Sequence, residues 1–136
     1  MILQTTANHE KLHSIAPIFF KQAHGIVYVY DTGDKKSFTN IQKLVHKVKD
    51  ATLDKKSMLI GISNLDRKGS RQVSEQEAQQ KRQELKIELY HETETNEAGG
   101  DKHESINEAI SNLVEQIVIQ RYTDDGISSI GGGVAL

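Results

Sequence analysis

The sequence predicts an α/β domain with a mostly parallel sheet, and two apolar runs joined by a helical pattern carry this prediction. Residues 25–30 are uncharged and largely β-branched or aromatic before Asp31, and residues 57–62 form a second such run. Continuous apolar runs of this length are typical of strands buried on both faces of a parallel sheet. Because functional groups in such sheets gather at the carboxyl ends of the strands, we expect a site near Asp31 and after residue 62.

The elements before the first apolar run are short. Residues 1–4 have the pattern of the end of a strand, and residues 5–14 are polar and are predicted to form a loop. A short helix is predicted over residues 15–23, because Pro17 is tolerated in the first turn of a helix.

Three helices and a third strand are predicted after the first run. The first helix covers residues 32–50, with Asp34 or Ser37 as its cap. Ser74 and Glu77 form a capping-box pattern for a second helix that ends near Lys86. A short strand over residues 87–90 precedes a polar loop at 92–100 and a long helix that starts near Asp101. The apolar face of this last helix consists of Ile106, Ala109, Ile110, Leu113, Val114, Ile117 and Val118.

Composition excludes several classes of function. The 136 residues are enough for one domain, and the net charge of −2 without a basic stripe argues against a nucleic-acid partner. The sequence has no cysteine, which excludes disulfides, thiol catalysis and lipid attachment to cysteine within it, so we expect no stable membrane anchor. No signal pattern or apolar span is present, so the expected location is the cytoplasm.

Several segments resemble the Rab group of small GTPases in the Ras superfamily. Residues 14–31 resemble the Rab stretch R-S-x-x-x-x-Y-Y-R-x-A-x-G-x-x-x-V-Y-D, and Ser37-Phe38 resembles the S-F pair that follows it. Residues 71–78 resemble R-x-V-S-x-x-E-A, and Glu92-Thr93 resembles the start of E-T-S-A-K. The resemblance implies a three-layer, P-loop-NTPase-like sheet of the Ras type, flanked by helices, that lacks the first strands, the P-loop and the first helix.

The loops that bind GTP and magnesium in that family are absent or altered here. The phosphate-binding motif G-x-x-x-x-G-K-[ST] does not occur in the sequence. The resemblance places Thr5 and Asn8 where the family has the Asp and Gly of D-x-x-G, and His9 where it has the glutamine that orients water. We therefore assign no catalytic residue and expect no bound cofactor, although the family uses GTP or GDP with magnesium.

A remnant of the guanine-binding loop is the one candidate ligand site that the resemblance implies. The family's N-K-x-D motif aligns with Ser63, Asn64, Leu65 and Asp66, so that Asp66 matches the family's aspartate and Asn64 lies beside it in the same loop. The next family loop, S-A-K, aligns with Glu94-Thr95-Asn96, where Glu94 is poorly suited to lie near a guanine carbonyl.

Residues 9–13 also match H-E-x-x-H, the pattern of a zinc enzyme. On a helix His9 and His13 would lie one turn apart and could bind zinc, with Glu10 as the general base. No third ligand is evident and His24 is the nearest candidate, so we disfavour this alternative and assign no metal ligand.

The missing family segment leaves apolar surface that needs a partner. In that family the missing segment supplies the central strand of the sheet, and residues 2–4 would pair with that strand. Without the segment, we expect residues 25–30 to form an unpaired strand edge. We also expect the apolar face of the last helix to be uncovered. We expect a protein partner or self-association there. The tail after residue 122 is predicted to be a flexible Gly/Ser segment, with strand addition by residues 127–136 as the alternative cover.

The prediction is therefore a partial small-GTPase-like domain over residues 1–122, followed by a tail over residues 123–136. By resemblance it is linked to GTP-regulated vesicle traffic or signalling, as a non-hydrolysing binding module. The alternative is the C-terminal part of an active GTPase whose P-loop segment is missing from this chain.

Overall fold

The computed structural model describes residues 2–4, 21–64, 69–95, 103–125 and 133–135. In chain order the elements are β1 (Ile2–Gln4), β2 (Ala23–Asp31), α1 (Lys35–Thr52), β3 (Lys56–Asn64), α2 (Glu75–Glu84), β4 (Leu89–Thr95), α3 (His103–Asp125) and β5 (Gly133–Ala135). The helix predicted over residues 15–23 lies outside the described residues except for its end, where Lys21 and Gln22 are helical and Ala23 begins β2.

The strands form one sheet in the order β1-β5-β2-β3-β4, and every pair of neighbours is parallel. Helices α1 and α2 cover one face, where Phe38, Ile41 and Ala78 pack among the buried side chains of β2 and β3. Helix α3 covers the other face through Ala109, Leu113 and Ile117. The predicted three-layer α/β arrangement and the predicted apolar face of the last helix are confirmed.

The helix starts follow the predicted capping chemistry. Asp34 caps α1, and its side chain accepts a hydrogen bond from the backbone N–H of Lys36 at 2.9 Å. Ser74 caps α2, and its Oγ accepts from the backbone N–H of Glu77 at 3.1 Å. The caps fix where each helix begins, and the buried side chains Phe38, Ile41 and Ala78 hold the helices against the sheet.

The third predicted strand was placed too early and made too short. The structure has β4 over Leu89–Thr95, whereas the sequence pattern predicted a strand over residues 87–90 and a loop from residue 92. Within the described sheet β4 pairs with β3 alone. Most of its side chains are half-buried, while Thr93 is buried and Glu94 is exposed. From Glu92 onwards the strand has the polar composition of a loop, and this is why the sequence pattern ended it too early.

Strand β5 lies in the middle of the sheet, between β1 and β2. It pairs with β2 from Ala23 to Ile26, with an irregularity in register between Ala23 and Gly25, and with all of β1. The alternative that the tail adds a strand to the edge of residues 25–30 is therefore confirmed for the first part of β2, where residues 133–135 supply the backbone partner, and the bare edge expected without this cover is absent there. Helix α3 continues to Asp125, and the division of the chain at residue 122 stays a prediction.

Candidate functional site

The carboxyl ends of β2 and β3 are tied together by Thr32, which is almost fully buried. The Thr32 backbone N–H donates to the carbonyl oxygen of Ile62 at 2.9 Å, and its hydroxyl lies 2.7 Å from the hydroxyl of Ser63. The Thr32 carbonyl accepts from the N–H groups of Gln72 and Val73, so the segment that leads into α2 is attached to the same point.

A small cleft of about 270 Å³ opens above this point. Its lining consists of Asp31, Thr32, Gly33, Ser63, Asn64, Gly69 and Arg71. Asp31 is committed to its own loop, because its carboxylate accepts from the Gly33 N–H at 2.7 Å and its backbone N–H donates to Ser37 Oγ at 3.0 Å. The cleft therefore combines loop backbone with short polar side chains at the edge of the sheet where a ligand is expected.

Arg71 and Glu92 form a bidentate ion pair at this edge. The two terminal nitrogens of Arg71 each donate to one carboxylate oxygen of Glu92 at 2.6 Å, and its Nε donates to the carbonyl of Val73. Tyr90 donates to Glu92 Oε2 at 2.7 Å, and the Tyr30 hydroxyl lies 3.2 Å from that of Tyr90. Because the Tyr90 proton points to Glu92, Tyr30 is the donor in the last contact.

The charges in this network stabilise each other. Burial alone would raise the pKa of Glu92, but the hydrogen bonds from Arg71 and Tyr90 outweigh it and hold this pKa below its usual value. The hydrogen bond to Glu92 raises the pKa of Arg71, and burial raises the pKa values of Tyr30 and Tyr90. At neutral pH the network therefore contains one guanidinium, one carboxylate and two neutral phenols.

Gly61 makes room for this network in the middle of β3. The register places Tyr30 opposite Gly61 and Gly61 opposite Glu92, so all three lie in one row across the sheet. A Cβ on Gly61 would lie 2.6 Å from the Tyr30 hydroxyl and 2.8 Å from Cζ of that ring. Because glycine has no side chain, the Tyr30 ring can cross β3 at Gly61 and reach Tyr90 on the next strand.

We expect the Arg71–Glu92 contact to make folding stability depend on pH. A carboxylate with a lowered pKa contributes all of its stabilisation above its unfolded pKa and loses it as the pH falls through the folded value. We therefore expect Glu92→Gln to cost about 1 kcal/mol at neutral pH, since Arg71 is partly exposed, and to cost less from about pH 5 downwards.

Urea unfolding between pH 3 and pH 7 measures this dependence. The matched control is Glu84→Gln, which removes an exposed carboxylate paired with Lys81 within α2. If Glu92→Gln and Glu84→Gln show the same cost at every pH, the Arg71–Glu92 contact does not contribute as described.

The structure brings together only part of the predicted site. Asn64 is exposed at the end of β3 and lines the cleft, whereas Asp66 lies outside the described residues. The neighbouring loops do meet, because Ser63 is opposite Glu94 and Asn64 is opposite Thr95. This pairing brings the two segments that resemble base-reading loops to one edge of the sheet.

The zinc motif cannot be placed, because His9, Glu10 and His13 also lie outside the described residues. His24, the nearest candidate third ligand, has a buried Nδ1 without a hydrogen-bond partner among the described residues. Its pKa is lowered by burial and by the positive charges of Arg121 and Lys55, surroundings that disfavour a cation. Within the described ranges no three His, Asp or Glu side chains form a group that could hold a metal ion.

The sequence did not predict the contacts of Tyr30 and Tyr90. Arg71 and Glu92 lie in segments that resemble Rab motifs, but the resemblance did not indicate that they contact each other. One signal was available, because a glycine inside a buried strand often marks the close approach of another group. Gly61 is such a residue, and the phenol that approaches it belongs to the neighbouring strand.

Comparison with known proteins identifies the family. The sequence model of the Ras family matches residues 1–119. The chain belongs to the Ras family. Its fold is the Ras-type α/β fold that the resemblance implied, with a parallel sheet between helices, and it is Rab-like. This Ras-family chain is 30% identical over 116 residues to Ras-related protein Rab-13 of Canis lupus familiaris, an alignment that covers 85% of this chain and 54% of that protein.

Two further relatives agree with this placement. Rab-13 of Rattus norvegicus is 28% identical over 116 residues, which cover 85% of this chain and 54% of the relative. Ras-related protein SEC4 of Candida albicans is 27% identical over 128 residues, which cover 93% of this chain and 57% of the relative. The Ras-family chain thus spans about half the length of the curated relatives it matches. In its described part no helix is both long and apolar enough to cross a bilayer.

Proposed function

We propose that this Ras-family chain is a protein-binding module that neither binds nor hydrolyses GTP, and that it works in the cytoplasm in vesicle traffic or signalling. One observation carries the nucleotide part of the proposal. The register between β3 and β4 brings Glu94, a carboxylate, beside Ser63, in the pair of loops that would contact a guanine base. No G-x-x-x-x-G-K-[ST] motif occurs in the 136 residues to supply phosphate contacts instead.

We propose two interaction surfaces, which are the carboxyl half of β2 and, separately, the exposed end of α3 near the amino end of β2, where Ile117 lies against Gly25. Val29 is 42% exposed, although its neighbours Tyr28 and Tyr30 are almost fully buried. A groove of about 380 Å³ runs along this half of β2 and is mainly apolar, and Val27 and Val29 line it. On α3, Ile119 and Tyr122 are exposed. An extended segment of a partner protein fits such a strand edge by adding backbone hydrogen bonds.

We expect no heat of binding when GDP and magnesium are titrated into the full chain. The physical reason is that most affinity in a nucleotide site of this type comes from phosphate and magnesium contacts, which Asn64 and Asp66 cannot replace. Isothermal titration calorimetry measures this directly, with ADP as the control for unspecific binding. A micromolar or tighter constant for GDP would refute the proposal and favour the alternative of a nucleotide-binding GTPase segment.

A further inference from the structure

A second cavity lies at the opposite end of the sheet from the cleft. It has a volume of about 270 Å³ and lies between the end of α1, the start of β3 and the turn after α2. Its apolar lining comes from Ile26, Val45, Leu53, Leu85 and Ile87, of which Ile26 and Ile87 are almost fully buried and Leu53 is exposed. We call it the basic cavity, because Lys49, Lys55 and Lys86 also line it.

The carboxylates that line the basic cavity do not pair with the lysines that line it. The two carboxylates in its lining are Glu84 and Glu88, and each is paired at 2.6 Å with a lysine outside the lining, namely Lys81 and Lys56. The Lys55 ammonium donates a hydrogen bond to the backbone carbonyl oxygen of Lys21. This carbonyl is a neutral group and does not cancel the charge of Lys55. Three lysines therefore line a shared cavity whose two carboxylates are each paired with another lysine.

Lys86 occupies a backbone position that suits glycine better. Its φ of 57° is left-handed, as in a helix C-terminal turn, and its N–H donates to the carbonyl of Gln83 at 3.1 Å. A residue with a Cβ is strained in this conformation, whereas glycine adopts it freely. A lysine kept at a strained position beside a cavity suggests that its side chain is used there.

The lining of the basic cavity also includes neutral side chains that carry hydroxyl groups. Tyr28 is 5% exposed, and burial raises its pKa to about 12 against a smaller lowering by its hydrogen bond with Thr52. The phenol therefore stays protonated at neutral pH. Ser57 adds a second hydroxyl to the lining. Cationic, hydroxyl and apolar side chains in one lining are the groups expected of a pocket for an anion attached to an apolar body.

We propose that the basic cavity binds a phosphate monoester carried on a small apolar group. Lys49, Lys55 and Lys86 contact the phosphate, and Ile26, Leu85 and Ile87 contact the apolar group. The volume of the cavity suits a body the size of a single ring. This site is separate from the cleft at the carboxyl ends of the strands and does not depend on the proposed protein partner.

Lys86→Gly tests the proposal because it separates binding from folding. The variant removes one ammonium group and relieves the strained backbone, so we expect it to bind phenyl phosphate about fivefold more weakly while its Tm stays equal or rises by about 3 °C. NMR titration of the full chain at low ionic strength measures the affinity, and thermal unfolding followed by circular dichroism measures the Tm. Lys49→Met should weaken binding to a similar extent.

Lys43→Met is the matched control, because Lys43 is exposed on α1 and does not line the cavity. We expect it to leave the affinity unchanged, and we expect inorganic phosphate to bind more weakly than phenyl phosphate. The proposal is wrong if the wild-type chain does not bind phenyl phosphate at millimolar concentrations. It is also wrong if Lys86→Gly and Lys49→Met bind as the wild type does, if Lys43→Met loses as much, or if inorganic phosphate binds equally well.

Discussion

Replacing Gly61 by alanine is expected to destabilise the chain by about 3 kcal/mol, because the new methyl group would lie inside the Tyr30 ring contact. Its Cβ would be 2.6 Å from the Tyr30 hydroxyl, so the ring has to move away from β3. That movement also breaks the hydrogen bond to Tyr90 and loosens the Arg71–Glu92 contact. Urea unfolding of the variant measures the loss, and Gly69→Ala is the matched control, since nothing lies within 4 Å of a Cβ there.

A double-mutant cycle shows whether the Tyr30 ring is the cause. In a Tyr30→Leu background the atoms that meet the new Cβ are gone, so Gly61→Ala should cost much less than it does beside tyrosine. Equal costs in both backgrounds would show that the destabilisation comes from the backbone of β3 and not from Tyr30.

Ending the chain at Asp125 is expected to have an effect of similar size. The truncation removes β5 and its backbone hydrogen bonds to β1 and β2, each worth about 1 kcal/mol. It also exposes the whole edge of β2, which favours association of the truncated chains. We expect faster amide exchange over residues 23–27 by mass spectrometry, a lower urea midpoint, and a mass above that of the monomer by light scattering.

Val134→Pro repeats this test at full length, because proline removes one amide from a central strand. Val134→Ile keeps the amide and serves as the control. If the truncated chain remains a monomer with an unchanged urea midpoint and unchanged exchange over residues 23–27, β5 does not contribute to the stability of the sheet.

The local patterns of this sequence predict the buried half of the fold well. Strands β2 and β3 are continuous apolar runs, and the face of α3 that carries Leu113 repeats at helical spacing, so burial is visible in composition alone. Strand β4 is different, because its Thr93 and Glu94 divide between inside and outside at a sheet edge where most side chains are polar. The sequence offered strand addition by residues 127–136 only as an alternative, because β5 pairs with residues more than one hundred positions away and its Gly/Ser surroundings are also typical of a flexible tail.

The candidate site also has a part that the sequence predicts and a part that it does not. Asn64 was identifiable from its place in a matched loop, and the structure does place it in the cleft. The contact between Tyr30 and Tyr90 was not identifiable, because it requires the exact register of three strands and the missing side chain of Gly61. Motif matching names residues one at a time, whereas this network exists only after the sheet has formed.

The central place of β5 has a consequence for the order of folding during synthesis. Strands β2, β3 and β4 can pair as soon as they have been made, but β1 has to wait for Gly133–Ala135 before it can join them. Contacts between such distant residues close slowly, because the entropy of a long loop is lost before they form. A nascent chain that already includes α3 therefore still lacks the strand that pairs with residues 23–26 in the folded sheet, and the exposed edge is open to association at this stage.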